Sequence, residues 1–275
     1  MTATWIGHST VLVQLGGLNI LTDPIWSERA SPIRWLGPRR WVPPGALLES
    51  LPPLDIVLLS HNHYDHLDAP TVRRVARLHP DAHWMVPLGL VPLLRRLGVR
   101  KVTELGWWDE ATVGEARIAC TPARHFSARG VTDRMRTLWC GWTVRVAGRA
   151  LYFAGDTAYH PEFAAIGQRY GPFDIVLIPI GAYEPRWFMQ RVHMDPEEAV
   201  RAYLDVAGES LEEDASPRSP RIALGIHWGT FKLTDEPMDE PPRRTLAAWR
   251  AAGLPEEELW ILKHGETREL ALARA

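Results

Sequence analysis

Cysteine is scarce in this chain: there are two in 275 residues, Cys120 and Cys140, with no CxxC spacing. That argues against a disulfide framework and makes a reducing cytoplasm the expected setting. Long hydrophobic runs are missing too. The longest, such as "DIVLIPIGAY", reach about half of the ~20 residues that a membrane span needs. The chain does not open on a basic segment followed by an apolar one, so no signal peptide is read. A strong charge of one sign is also lacking. The net charge of −2 offers no basic footprint for nucleic acid. Internal repeats are absent, and low complexity is confined to "GESLEEDASPRSPR", Gly208 to Arg221, expected to be a mobile surface loop. Tryptophan, by contrast, is abundant, with thirteen residues. These could fill a core, line an apolar pocket or sit at a membrane interface, and their number does not choose among the three.

Strand and helix patterns alternate along the chain. "TATWIGHSTVLVQL" and "LNILTD" flank Gly16-Gly17 and read as a hairpin. The Pro- and Trp-rich stretch from Pro24 to Pro53 is too long and irregular for a plain connection, so a functional loop or lid is expected. "DIVLLS" reads as a buried strand, and "APTVRRVARLH" has helical spacing at Val72, Val75 and Leu78. "HWMVP", "KVTEL" and "ARIACTPA" read as strands, with a short helix around Leu90 to Leu97. "LWCGWTVRVAGRALYFAGD" is a hairpin turning at Gly148, and "PEFAAIGQRYG" a helix with proline in its first turn and glycine past its end. "DIVLIPIG", "RIALGIHWG" and "ELWILKHG" read as strands, and "PPRRTLAAWRAAG" as a helix. "DPEEAVRAYLDVAG" is a helix capped by Asp195. Hairpins mixed with strand–helix units predict two sheets covered by helices, in one domain over residues 1–275.

The stretch "LLSHNHYDHLD", Leu58 to Asp68, holds three histidines and two aspartates directly behind an apolar run. If the strand continues, His61 and His63 alternate onto one side, where neutral imidazoles can hold a metal ion. Asp65 and His66 follow and can hold a second. Further donors stand after other apolar strands: His125 in "TPARHF", Asp156 in "YFAGDT" and His227 in "LGIHWG". A carboxylate between two ions, ringed by imidazoles, is the arrangement a two-metal hydrolase needs. Its ions, roughly 3.5–4 Å apart, activate water near neutral pH and stabilise charge on a phosphoryl or carbonyl group. The competing reading is a polar helix start with incidental histidines, and seven such residues gathered at four strand ends disfavour it.

HxHxDH with later His, Asp and His resembles the signature of the metallo-β-lactamase superfamily. "WIGHSTVLV", "LTDPIWSERASP", "LGPRRWVPP", "YFAGDTAYHPEFAAIGQRYGPFD", "IPIGAYEPRWFMQRVHMDPEEAV" and "IHWGTF" are similar to the branch of N-acylphosphatidylethanolamine-hydrolysing phospholipases D and their bacterial relatives. The resemblance runs over nearly the whole chain, and "GAYEPRWFM" is its most specific part. It implies a four-layer αββα sandwich, an α/β (α+β) fold with metals at one edge between the sheets. By matched position, His61, His63 and His125 would hold one ion, Asp65, His66 and His227 the other, with Asp156 as bridge. Two Zn2+ ions are the expected cofactors, with Mn2+ or Fe2+ as alternatives. Relatives commonly carry an extension before the first strand, whereas this sequence starts at "MTATWIGHST", which sets an expectation of weakened bilayer docking. "GESLEEDASPRSPR" is longer than the usual connection there and reads as a surface insertion.

Other residues carry two readings each. Asp23, in "LTDP", is either a carboxylate orienting a ligand histidine or a turn residue before proline. His193, in "VHMDPEE", either donates a proton to a leaving alkoxide or holds a phosphoryl oxygen, or else has a structural capping role at the helix start. With Asp65 and Asp156 it makes up the expected catalytic group. His8 reads as buried and hydrogen-bonded, not as a ligand, while His79, His83, His160 and His264 read as structural or surface residues. Trp26, Trp35 and Trp41, with Arg29, Arg34, Arg39 and Arg40, read as a lid for acyl chains and phosphates, or as anchors pinning the loop. Tyr183, Arg186, Trp187 and Phe188 are expected at the substrate pocket. The resemblance implies zinc-dependent phosphodiester hydrolysis of phospholipase D type, cleaving N-acylphosphatidylethanolamine-like lipids to an N-acylethanolamine and phosphatidic acid. The alternatives are a lactonase or phosphodiesterase for a small soluble metabolite, and a metal-binding protein without turnover. The expected partner is a phosphodiester or lipid substrate, not nucleic acid. Membrane contact at the inner membrane face would be peripheral at most, and a homodimer is compatible with the sequence.

Overall fold

Strand side chains that alternate between two apolar layers build this molecule. The computed structural model describes residues 1–33, 35–208 and 221–270. The first half supplies β1 (Thr2–Gly7), β2 (Thr10–Leu15), β3 (Leu18–Thr22), β4 (Ile56–Leu58), α1 (Ala69–Leu78), β5 (His83–Pro87), α2 (Val91–Arg96) and β6 (Lys101–Leu105). Then come β7 (Glu110–Val113), β8 (Ala116–Thr121), β9 (Gly141–Val146), β10 (Arg149–Phe153), α3 (Glu162–Tyr170) and β11 (Ile175–Pro179). The last elements are α4 (Arg186–Met189), α5 (Pro196–Ala207), β12 (Ile222–Ile226), α6 (Glu240–Ala251), β13 (Leu259–Trp260) and β14 (Thr267–Glu269).

Two seven-stranded sheets result, ordered β14-β1-β2-β3-β4-β5-β6 and β13-β12-β11-β10-β9-β8-β7. Each begins as an antiparallel meander and turns parallel, from β3 to β6 in one and from β10 to β13 in the other. Period-two alternation sorts the side chains. Val11, Val13 and Leu15 of β2 face Leu151, Phe153, Ile175 and Leu177 in the layer between the sheets. Their neighbours Leu12, Leu21, Val57 and Trp84 face outward under α1 and α2. Tyr152, Val176 and Ile178 face outward under α3, α5 and α6. Helix–sheet–sheet–helix is thus the observed stacking, as the sequence leads one to expect. Trp5, Trp84, Trp142 and Trp249 are fully buried, so much of the tryptophan content is core. Cys120 and Cys140 are buried free thiols. Among the described residues no helix is long and apolar enough to cross a membrane.

Several elements differ from their sequence reading. The segment from Thr2 to Leu15 is two strands, broken by a turn at His8 and Ser9. "DIVLLS" pairs only over Ile56–Leu58, so the histidine motif lies on a loop, not on a continued strand. "ELWILKHG" contributes just Leu259–Trp260. β7 and β14 escape the reading because "EATV" and "TRE" are short, largely exposed edge strands with no apolar run. Residues 209–220 of the low-complexity stretch, and Arg34 of the long loop, lie outside the described residues. The rest of that long loop is pinned by polar contacts. Arg40 donates to the carbonyls of Ile25 and Ser27 and stacks over Phe231, and Trp41 N–H donates to Thr230 O.

Candidate metal centre

The parallel strands of both sheets point their carboxyl ends at one edge, where the loops that follow them converge. The loop after β4 is tied to the opposite sheet: Trp142 Nε1 donates to Leu59 O at 2.9 Å, and Cys140 N to Ser60 O at 3.0 Å. That anchoring, rather than strand alternation, brings His61 and His63 together, with His61 Nε2 2.8 Å from His63 Nδ1. His125, after β8, places its Nε2 3.2 Å from the same His63 Nδ1. Asp156, after β10, sends its Oδ2 to 3.9 Å from His61 Nε2 and 3.7 Å from His125 Nε2. The same Oδ2 lies 3.0 Å from His66 Nε2 and 3.1 Å from His227 Nε2. Asp65 Oδ2 closes this second group at 3.3 Å and 3.4 Å from those two nitrogens.

These spacings suit metal donors. Four donors placed tetrahedrally at ~2.0–2.1 Å from an ion stand about 3.3 Å apart. Asp65, His66, His227 and Asp156 match that figure. His61, His63 and His125 form the other donor group, and Asp156 Oδ2 faces imidazoles of both. Buried polar atoms normally have a hydrogen-bond partner. Here His66 Nε2, His227 Nε2 and Asp156 Oδ1 are buried without a well-aligned one. The far side of each ring is fixed instead. His66 Nδ1 donates to Asp23 Oδ2 at 2.6 Å, His125 Nδ1 to Val192 O at 2.9 Å, and His61 Nδ1 to Ser60 Oγ at 2.9 Å. Ser60 in turn donates to both oxygens of Asp23, at 2.7 Å from its backbone N–H and 2.6 Å from its hydroxyl. With Nδ1 carrying the proton, each Nε2 lone pair is aimed at the centre.

Charge in the cluster follows from burial and neighbours. Burial pushes His125 down to about 3 and His61 well below the usual histidine range, so both rings are neutral. Burial works against charge at Asp65 and Asp156 as well, yet the surrounding His66 and His227 hold both carboxyls well below their usual range. The carboxylates act reciprocally. Against the effect of burial, Asp156 raises His227 to about 9, and Asp156, Asp65 and Asp23 raise His66 well above the usual value. Without metal the centre therefore balances its carboxylates with protons on His66 and His227.

The cluster opens on a cavity of about 550 Å³ whose walls include Trp187, Phe188, Met189 and Leu233, with Arg134 and Arg191. A wider groove of about 780 Å³ runs between the long loop and α1 and carries none of the donors. His193 lines the first cavity. It is buried, its Nδ1 makes no hydrogen bond, and its ring lies 4.9 Å from that of His125 and 5.2 Å from that of His227. Trp187 and Phe188 are exposed at the mouth. Tyr183 and Arg186 are elsewhere. Tyr183 is fully buried, donating to Glu240 Oε1 at 2.8 Å. Arg186 donates to His193 O at 3.0 Å and to Glu198 at 2.8 Å, so it holds the loop that carries His193. Trp26, Trp35 and Trp41 do not line the cavity, and Arg29 and Arg39 are engaged with Gly37 O and Glu28. His79, His160 and His264 contact Leu54, Glu162 and Thr230, and His83 contacts Thr103. Phe126, Arg134, Arg191 and Leu233 are cavity residues that the sequence reading did not single out. Phe126 stands beside His125 in the chain, but nothing local marks the others.

The sequence profile of the β-lactamase superfamily domain matches residues 18–228. The chain belongs to the β-lactamase superfamily. Within this superfamily it is 44% identical over 241 residues to N-acyl-phosphatidylethanolamine-hydrolyzing phospholipase D 1 of Caenorhabditis elegans, covering 84% of this chain and 64% of that protein. It is 33% identical over 255 residues to the mitochondrial N-acyl-phosphatidylethanolamine-hydrolyzing phospholipase D of Saccharomyces cerevisiae, covering 90% of this chain and 52% of the relative. The chain thus spans about half to two thirds of the length of these relatives. A solved structure described as a possible metal-dependent hydrolase from Veillonella parvula superposes with a TM-score of 0.74 over 98% of both chains, at 15% identity, which speaks for the shared fold.

Proposed function

We propose that this superfamily member is a dinuclear metal-dependent hydrolase, working as one domain because both sheets contribute donors to one centre. His61, His63 and His125 would hold one ion and Asp65, His66 and His227 the other, with Asp156 between them. Zinc fits the imidazole-rich, four-donor geometry best. Bound there, two divalent ions supply Lewis acidity and a water acidified toward neutral pH. The observation that carries this reading is the position of Asp156 Oδ2 within 4 Å of four imidazole nitrogens, on the floor of an accessible cavity.

The substrate class we infer is an N-acylphosphatidylethanolamine-like phosphodiester. Water would cleave it on the headgroup side, releasing an N-acylethanolamine and leaving phosphatidic acid. Two features support this: the names of the relatives at 44% and 33% identity, and an apolar cavity wall beside the donors. Arg134 and Arg191 supply positive charge for the phosphodiester anion. Burial holds the His193 imidazole well below its usual range. It is therefore suited to donate a hydrogen bond to a phosphoryl oxygen as a neutral ring. Among the described residues, the thiols are buried, Ser60 is committed to Asp23, and the Thr234 hydroxyl at the cavity donates to Glu236, so direct attack by water is the simplest route. Membrane contact, in this reading, is peripheral and made from the cytoplasm.

Two measurements test the reading. Protein reconstituted with zinc should hold close to two ions per chain, and saturation at one would overturn the dinuclear reading. In detergent of constant composition, kcat/KM should rise with acyl length, because apolar contact contributes ~25 cal/mol per Å² removed from water. Flat or falling efficiency would overturn the lipid assignment and leave the metal centre standing.

A further inference from the structure

We propose that His8 is a positioning residue for one half of the centre, holding Asp65 and His227 in register across the two sheets. The inference rests on the two-ion reading above. His8 occupies the turn between β1 and β2, far from every donor in sequence. Its backbone is left-handed, with φ of 55°, a conformation uncommon for a residue that carries a side chain and one that persists where the surroundings impose it. Those surroundings are visible. His8 N–H donates to Thr230 Oγ1 at 2.7 Å, and His8 O accepts from Trp5 Nε1 at 2.8 Å and from His227 N at 3.1 Å.

The ring completes the strut. It is buried, and its Nε2 stands 2.9 Å from Asp65 Oδ2. That is the shortest of the imidazole approaches to this oxygen, the others being 3.3 Å from His66 and 3.4 Å from His227. Donation from Nε2–H occupies one lone pair of Asp65 and directs the carboxylate toward His66 and His227. The His8 ring also packs on the His227 ring, with centroids 4.2 Å apart. Asp65 comes from the loop after β4 in one sheet, and His227 from the end of β12 in the other. His8 touches both, through side chain and backbone. Its ring contacts are with His66, His227 and Phe231, not with His61, His63 or His125. A role confined to one donor group follows.

The test compares wild type, His8→Asn and His8→Gln as metal-reconstituted protein. Asparagine tolerates the left-handed backbone but does not reach Asp65. Glutamine carries an amide N–H out to the same oxygen. Ion binding is read by competition with a chelator, and the ligand field by the visible spectrum of the cobalt-loaded proteins. The expected result is that His8→Asn keeps one ion at wild-type affinity and binds the other at least ~10-fold more weakly, the usual size of losing a partner behind a ligand. His8→Gln should recover most of that affinity and keep the wild-type cobalt spectrum. Unchanged affinity for both ions in His8→Asn would overturn the inference. So would equal weakening of both, or a cobalt spectrum altered in His8→Gln, which would make His8 itself a ligand. Should His8→Asn fail to fold, the affinity and spectrum of His8→Gln decide. Wild-type protein that saturates below two ions would instead overturn the underlying two-ion reading.

Discussion

Asp156 is the residue on which the donor groups depend, because one oxygen faces imidazoles from both. Asp156→Asn keeps the size of the side chain and removes the charge that would hold two cations close together. Hydrolysis is expected to fall by orders of magnitude with the fold retained, as read by turnover, metal content and circular dichroism. Retained activity at unchanged metal content would remove Asp156 from its proposed place. Titration of the histidines gives a second test at this scale, on metal-free protein. His227, raised to about 9, binds its proton more tightly folded than unfolded. Its contribution to stability is whole below its free value of 6.5 and is lost as pH rises toward 9. His8 and His125, held at about 3 by burial, act in the opposite sense. The unfolded chain takes up their protons first, so stability falls as pH drops from 6.5 toward 3. Metal-free protein should therefore be most stable near pH 6.5, declining on both sides. Urea melts across that range, with chelator present, check it. Loading with metal should remove the alkaline decline, because the ions take the place of the protons on His66 and His227.

At the scale of elements, α4 and the loop to α5 make the changeable wall of the cavity. The turn into α5 is firm. Asp195 accepts from Glu198 N at 2.9 Å, and the Glu198 carboxylate accepts from Asp195 N at 3.2 Å, a reciprocal cap. Arg186 joins that cap to the His193 carbonyl. Replacing it, as in Arg186→Met, should lower kcat by about 10-fold while metal content stays at the wild-type value, because a buried carbonyl loses a charged donor worth roughly 1.5–3 kcal/mol. Trp187 and Phe188 stand on the same short helix but face solvent and cavity. Trp187→Ala should reduce kcat/KM for long-chain phosphodiesters about 10-fold, or ~1.4 kcal/mol, and leave short-chain analogues unaffected. An equal loss on both substrates would point to a disturbed His193 loop instead of a lost acyl contact.

At the scale of the whole molecule, the centre lies between the sheets. His61, His63, Asp65 and His66 come from one sheet, and His125, Asp156 and His227 from the other. Bound ions would cross-link them. With free metal at a thousandfold its Kd, binding adds ~4 kcal/mol to stability. For a chain of this size that corresponds to a Tm higher by on the order of 10 °C. Calorimetry with and without chelator measures it, and an unchanged Tm would mean the sheets hold their register without metal.

Local patterns were enough for much of this. Period-two and helical alternation, glycine turns and the Asp195 cap placed the buried strands and long helices, because those signals depend on neighbours within a few residues. Residue type at strand ends was enough to name seven candidate donors, since imidazole and carboxylate so spaced have few other uses. Long-range contacts decided the rest. The His61–His63 convergence is made by a loop anchored to Trp142 and Cys140, not by the strand period. His8 meets Asp65 across 57 residues, and Tyr183 turns to Glu240 across another 57. In both cases the side chain's direction is set by a partner that no local pattern encodes. Tyr183 and Arg186 share a segment with Trp187 and Phe188, yet only the last two reach the cavity. Sequence spacing conveys which residues are near a strand end. Which of them point into the centre depends on how the two sheets pack, because burial of their shared apolar layer fixes the angle at which each loop arrives.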